Sequence, residues 1–296
     1  MKKSYELDMC NGPILGKILV FAIPLMISGI LQLLFNAADI IVVGRFTGSQ
    51  ALAAVGSTSA LINLIINLFI GVSVGANVVV ARNYGAKDYD GIHGAVHTSV
   101  LTAIWGGIIL IFVGILLARP MLEMMGTPED VIDLSVLYMR IYFVGMPAFM
   151  MYNFGAAILR AIGDTKRPLY FLTLSGVVNV VLNLFFVIVF HMGVAGVALA
   201  TIISQAISAF LIILCLMKMD GPCHLDFKHL KFHPEQLKSM LRIGLPAGLQ
   251  GAIFSISNVL IQSSVNSFGE VIMAGSSAAI SIEQFIYSNI NAFYQA

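Results

Sequence analysis

The chain has 296 residues, 58% of them hydrophobic and 10% charged, with a net charge of +1 and a mean hydropathy of +0.92. Soluble domains carry about 25% charged residues, so the composition excludes a soluble enzyme domain and a disordered chain. The near-zero net charge leaves no bulk basic field for nucleic acid. What remains is an all-α, polytopic integral membrane protein.

A helix needs about 20 apolar residues to cross the hydrocarbon core. That rule predicts spans at 14–44, 52–81, 94–118, 132–159, 168–190, 194–217, 238–267 and 271–296. Lys2 and Lys3 before an apolar stretch could open a signal peptide. The run from Ile14 to Val43 is too long for one and has no small-residue cleavage site, so it reads as the first span. Turn-rich or polar segments separate the spans, among them 44–48, 82–88, 126–130, 163–168 and 218–238. His191-Met192-Gly193 is so short that its two helices should be antiparallel neighbours.

Basic residues set the orientation. With the N-terminus inside, Lys2, Lys3, Lys17, Arg82, Lys87, Arg160, Lys166, Arg167, Lys218, Lys228, Lys231, Lys238 and Arg242 are all internal, against Arg45, Arg119 and Arg140 outside. This is a positive-inside pattern, and it predicts a multi-pass protein of the cell membrane with a cytoplasmic N-terminus.

A shift of 222 residues lays the first span over the seventh. Leu19, Pro24, Gly29, Asn36, Val43 and Phe46 fall on Leu241, Pro246, Gly251, Asn258, Val265 and Phe268. An even number of spans lies between the copies, so the repeats are parallel, a transporter plan with the path between halves. The expected division is a six-helix bundle over 1–217, a cytoplasmic linker over 218–237 and the first two helices of a second bundle over 238–296. On that count the second half is incomplete at Ala296.

Two acids sit well inside predicted spans, Asp39 and Glu283. A charge at bilayer depth costs at least about 2.5–3.5 kcal/mol, so each needs a partner or a wet cavity. A carboxylate held there can load and release H⁺. Gln32, Asn36 and Asp39 are spaced to share one helix face; interhelical packing or simple solvation near the outer surface would also explain them. Asn179 and Asn183 share a face, and Thr201, Ser204, Gln205 and Ser208 form another polar stripe, which polar packing between helices explains equally well. Glu283 is the second candidate acid, either a coupling group or an anchor within its bundle. Asn258, Gln262 and Asn266 line the seventh span without an acid. Tyr138, Tyr142, Met146, Met150, Met151, Tyr152 and Phe154 suit a cavity for flat lipophilic cations, or ordinary packing. Pro24, Gly29, Gly145 and Pro147 can loosen the backbone or permit close packing. Asp164 reads as a turn cap beside Arg160, Lys166 and Arg167. Cys10, Cys215 and Cys223 are too scattered for a disulfide framework or a zinc site. No Walker A motif or His/Cys metal cluster is present, so no cofactor is expected.

Several stretches resemble the multidrug and toxic compound extrusion (MATE) family of secondary transporters. They are Ala22-Ile23-Pro24 leading to Asn36-Ala37-Ala38-Asp39, Gly71 to Asn77, Tyr84 to Asp88, Leu159 to Pro168 and Gly193 to Thr201. The resemblance implies twelve helices in two bundles and export of organic cations or drugs in exchange for H⁺ or Na⁺ by alternating access. It also implies a cation-coupling set of Asp39, Asn179, Asn183 and Thr201, to which Asn36 is added from the Asp39 stripe. Asn183 departs from the Asp found there in many members. One carboxylate fewer weakens a Na⁺ site, at Asp39, Asn179, Asn183 and Thr201, because hard cations favour charged oxygens; the reading tilts towards H⁺. The expected partners are a lipophilic organic cation and membrane lipid, with no obligate protein partner. Two rivals stay open: a flippase for a lipid-linked oligosaccharide, which needs cationic residues in its cavity, and a non-transporting membrane scaffold.

Overall fold

The computed structural model describes Leu7, residues 13–266 and, beyond them, Ala279, Glu283, Ile286, Tyr287 and residues 289–293. Eight α-helices lie in this set: α1 (Ile14–Phe46), α2 (Ser49–Gly85), α3 (Tyr89–Met124), α4 (Glu129–Val144), α5 (Met146–Ala161), α6 (Lys166–Leu184), α7 (Gly193–Met217) and α8 (Pro234–Asn266). The 33 residues of α1 alone run about 50 Å at 1.5 Å per residue. Among the described residues, α1, α2, α3, α6 with the turn after it, and α7 are each long and apolar enough to cross a membrane, and α4 with α5 makes a sixth span. The protein is multi-pass. On α3, Trp105, Ile109, Phe112 and Leu116 are exposed at helical spacing and form a stripe suited to lipid.

The predicted span 132–159 is two helices. The chain breaks at Gly145, and α4 meets α5 at 48°. Pro147 sits in the first turn of α5, where it has no N–H to continue the helical ladder from α4. Two glycines of α3 receive this elbow: Gly107 faces the Pro147 backbone and Gly114 takes the Phe143 ring, positions where a Cβ would overlap its neighbour. The predicted span 168–190 also changes character, because α6 stops at Leu184 and a π-helical turn, Phe185–Val189, completes it. The third span starts earlier than predicted, since Asp88 caps α3 by accepting from the Gly91 N–H at 3.0 Å. The His191-Met192-Gly193 connection packs α6 against α7, with His191 at φ 53°. Most of the predicted span 271–296 lies outside the described residues.

At the junction of α5 and α6, Asp164 is fully buried. Its Oδ1 accepts from the Lys166 and Arg167 N–H groups at 3.2 and 3.1 Å, and its Oδ2 pairs with Arg167 Nε at 3.1 Å. These bonds satisfy N–H groups that every helix leaves unpaired in its first turn.

Helices α2 and α8 cross backbone to backbone. A Cβ on Gly71 would collide with the main chain of Gly248, and one on Gly75 with the Met240 carbonyl; Gly244 and Gly248 in turn face the backbones of Val72 and Leu68. Two small-x-x-x-small pairs, Gly71/Gly75 and Gly244/Gly248, thus mesh in antiparallel fashion, a packing that membranes favour because backbones can approach closely. Asn67 Nδ2 donating to Ser255 Oγ at 3.0 Å and Asn83 Nδ2 donating to Gln236 Oε1 at 3.4 Å bracket the crossing.

The 222-residue repeat carries Gly244 and Gly248 onto Ala22 and Met26 of α1. There Phe21 and Leu25 pack with Ala292, with Met26 alongside. That contact sets two large side chains of α1 against an alanine, whereas the α2–α8 contact is built from glycines. Replacing Gly71 with Leu should force the α2–α8 backbones apart and lower stability by about 1–3 kcal/mol. Thermal unfolding in detergent measures it. Gly56→Ala is the control, because a Cβ at Gly56 meets open space and should leave the midpoint unchanged or higher.

Candidate functional site

Helices α1 and α6 are drawn together by a ring against a glycine: Phe35 of α1 lies on Gly176 of α6, where any Cβ would overlap the ring. Asp39 follows Phe35 by one turn, and Asn179 and Asn183 follow Gly176 by three and seven residues, so each stays on the contacting face. The result is a line of polar groups across three helices. Asn183 Nδ2 donates to Asp39 Oδ1 in a short hydrogen bond and to Asn179 Oδ1 at 3.2 Å. Asn179 Nδ2 donates to Thr201 Oγ1 on α7 at 3.4 Å, and that hydroxyl donates to the Val197 carbonyl at 3.0 Å.

Burial grades along this line. Asn183 is fully buried, Asn179 nearly so, and Asp39 and Thr201 are half-buried. The carboxylate therefore stands where the line meets a less enclosed space, with neutral amides behind it. Asn183 Oδ1 is buried with no hydrogen-bond partner among the described residues. An unpaired buried carbonyl oxygen costs about 1–3 kcal/mol, and a cation or a proton donor beside Asp39 would relieve it. On α4, Tyr138 and Tyr142 have ring centroids 6.0 Å apart.

Beside Thr201 a small recess of about 10 Å³, room for about one water molecule, opens at the α4–α5 elbow, lined by Tyr142, Gly145, Met146, Phe149, Thr201, Ile202 and Gln205. Gln205 Oε1 is buried there, also without a partner among the described residues.

Four of the residues singled out from the sequence, Asp39, Asn179, Asn183 and Thr201, thus come together. Asn36 does not: its side chain is exposed and makes no hydrogen bond among the described residues. Gln32 is exposed as well, so the polar stripe on α1 splits, with Asp39 turned to α6 and the other two outward. Glu283 is exposed, and most of its neighbours lie outside the described residues, as do the side chains of Asn258, Gln262 and Asn266. The aromatic and methionine set is mainly core: Tyr138, Met146, Met150, Met151, Tyr152 and Phe154 are buried, and the recess is lined from that set by Tyr142 and Met146. Those from Met146 onward pack where α5 is enclosed by α2, α3 and α7, and Tyr138 lies on α4. Among the described residues no group of His, Cys, Asp or Glu is arranged to hold a metal ion. The glycine crossing of α2 and α8 was missed, although the spacing of Gly71/Gly75 and Gly244/Gly248 carries the signal.

The MatE family model matches residues 24–185, more than half of the chain. The chain belongs to the MATE family of multidrug efflux transporters. It is 33% identical over 257 residues, 84% of its own length, to a Bacillus subtilis (strain 168) protein named probable multidrug resistance protein YoeA, of which it covers 56%. A solved structure described as the outward-facing conformation of a multidrug resistance MATE family transporter of the MOP superfamily superposes with a TM-score of 0.91 at 28% identity, over 100% of this chain and 66% of that one. One described as MATE in the bent conformation gives 0.86 at 29% identity, over 94% and 62%. The chain spans between half and two thirds of the length of the curated relatives it matches.

The amide line depends on Asn179 as both acceptor and donor. Asn179→Leu should leave an Asn183 N–H unpaired in a buried place and cost about 1–3 kcal/mol, read as a lower unfolding midpoint. Thr201→Val, which removes an acceptor at the half-buried end, should cost less.

Proposed function

We propose that this chain acts as an antiporter of lipophilic organic cations, exchanging them for an inward coupling ion by alternating access. The carrying observation is the single carboxylate of Asp39, hydrogen-bonded to Asn183 at the head of an uncharged line. One negative charge can neutralise one cation at a time, so a coupling ion and a cationic substrate compete for it, and that competition is sufficient for exchange. On the outer side H⁺ binds the Asp39 carboxylate, cancels its charge and removes the attraction that held the substrate. On the inner side the proton leaves, the carboxylate regains its charge, and a new cation is attracted.

H⁺ is the proposed coupling ion. A hard cation such as Na⁺ would find one carboxylate, the amide oxygens of Asn179 and Asn183 and the Thr201 hydroxyl, a set with little charge. The recess beside Tyr142, Phe149 and Gln205 has room for about one water in this conformation, so an aromatic part of the substrate is proposed to enter there only after the helices around the elbow part, where cation–π contact tolerates varied shapes. The family relation and the naming of YoeA as a probable multidrug resistance protein support the substrate class. The proposal includes a cell-membrane location, a cytoplasmic N-terminus from the excess of internal Lys and Arg, and a six-span first half joined through the 218–237 linker to the helices that follow.

The test is efflux of a fluorescent lipophilic cation from cells expressing the protein. Asp39→Asn keeps an oxygen that can accept from Asn183 and so preserves the fold, but it cannot ionise. Efflux should fall to the level of cells without the protein, and wild-type efflux should collapse when the H⁺ gradient is dissipated. Unchanged efflux in the variant would remove Asp39 from the mechanism and move the search to Glu283.

A further inference from the structure

The segment between α7 and α8 is tied down at two points against α3. The buried His97 ring donates from Nδ1 to the His93 carbonyl at 2.8 Å and places Nε2 3.2 Å from the Asp226 carbonyl oxygen. Seven residues later, the His233 N–H donates to Thr98 Oγ1 at 3.1 Å, and the His233 ring lies over Gly94. Between these ties the chain alternates inward and outward. Leu225 is buried and Leu230 packs on the core, whereas Phe227 and Phe232 are 42% and 38% exposed and Lys228, His229 and Lys231 are exposed.

The depth of this loop follows from its ties. Past Thr98, α3 carries no Asp, Glu, Lys or Arg until Arg119, so the apolar run that crosses the membrane begins at that level. On α8, the last basic residue of the first turns is Arg242. A loop fixed to His97 and Thr98 therefore sits where hydrocarbon gives way to headgroups. Its acid is already engaged: Asp226 accepts from the Lys228 N–H at 2.9 Å and lies 2.6 Å from His229 Nδ1. The Lys228 main-chain bond, then the His229 ring, hold its carboxyl below the usual range. Lys228 and Lys231 have no ion pair among the described residues.

We propose that residues Phe227–Phe232 form a docking loop for anionic phospholipid, with Phe227 and Phe232 seated among the lipids and Lys228 and Lys231 on the phosphate-bearing headgroups. Aromatic side chains prefer this interfacial level, and lysines there attract anionic lipid by about five-fold each. Two exposed phenylalanines flanking a pair of lysines make an unfavourable surface in water and a matched one against a charged leaflet. The loop joins α7 to α8, so lipid bound here bears on the connection between the two repeats. The claim concerns lipid contact and stands apart from the export reading.

Fluorescence quenching tests it, because the chain contains one tryptophan, Trp105. Trp105→Phe with Phe232→Trp leaves a single reporter in the loop. The protein is placed in nanodiscs in which either phosphatidylglycerol or phosphatidylcholine, at equal mole fraction, carries brominated chains. Brominated phosphatidylglycerol should quench the reporter several-fold more strongly. Lys228→Gln with Lys231→Gln should abolish that preference while quenching itself persists, and Lys228→Arg with Lys231→Arg should keep it. Equal quenching by the two lipids, a preference that survives the double Gln change, or quenching by aqueous iodide but not by brominated lipid would each overturn the proposal. The last outcome would point to a soluble anion or a protein partner. If the Gln variant fails to fold, the lipid comparison in the parent and the Arg variant still decides. None of these readings involves transport, so failure here and failure of the export proposal are separately visible.

Discussion

A carboxylate carried into the hydrocarbon layer must be solvated by something the protein supplies. In this chain that solvation is an amide, Asn183, and much of the local architecture follows from it. Asn183 reaches Asp39 because α1 and α6 touch through Phe35 and Gly176. Having given one N–H to the acid, it needs an acceptor for the other, which is Asn179; Asn179 then needs Thr201 on α7. One half-buried carboxyl group thereby orders side chains on three helices. The line ends on the Val197 carbonyl, so a change of state at Asp39 can be felt as far as α7.

Around this line the protein combines stiff and yielding parts. The α2–α8 crossing is glycine against glycine, with no side chain to rearrange, and such a contact is either formed or lost. The contact at Phe21, Leu25 and Ala292 rests on two side chains, Phe21 and Leu25, that can change rotamer. The elbow at Gly145, seated on Gly107 and Gly114, places Tyr142 and Phe149 beside Thr201, next to the polar line. For the proposed exchange this is a useful arrangement: a fixed crossing, a softer one, and a bend adjoining the site.

How far the sequence revealed this depended on the length scale of each signal. Long apolar runs and turn-rich breaks are averaged over 20 residues, so the spans were legible. Asn179 and Asn183 were legible as a pair because a four-residue spacing on a helix forces a common face. Asn36 misled, since three residues before Asp39 is also a common face in principle. The two side chains diverge because α6 covers only one edge of that face. Gly145 and Pro147 were legible as places where the backbone can loosen, but hydropathy does not register a missing N–H, so the full break into two helices was not. For Tyr138, Met150 and Phe154 the sequence left cavity lining and ordinary packing both open, because composition cannot separate a packed aromatic from one facing a wet space; the structure packs them. The α2–α8 crossing pairs residues more than 150 positions apart, and two Gly-x-x-x-Gly spacings do not say which helix meets which.

In the proposed exchange a coupling proton and a cationic substrate compete for Asp39. The most direct measurement is proton release from the purified protein in weakly buffered detergent solution when a lipophilic cation is added, comparing wild type with Asp39→Asn. The account predicts release of protons by wild type as the substrate binds, and none from the variant. Equal release from both proteins would contradict it, because the exchanged proton would then reside on another group.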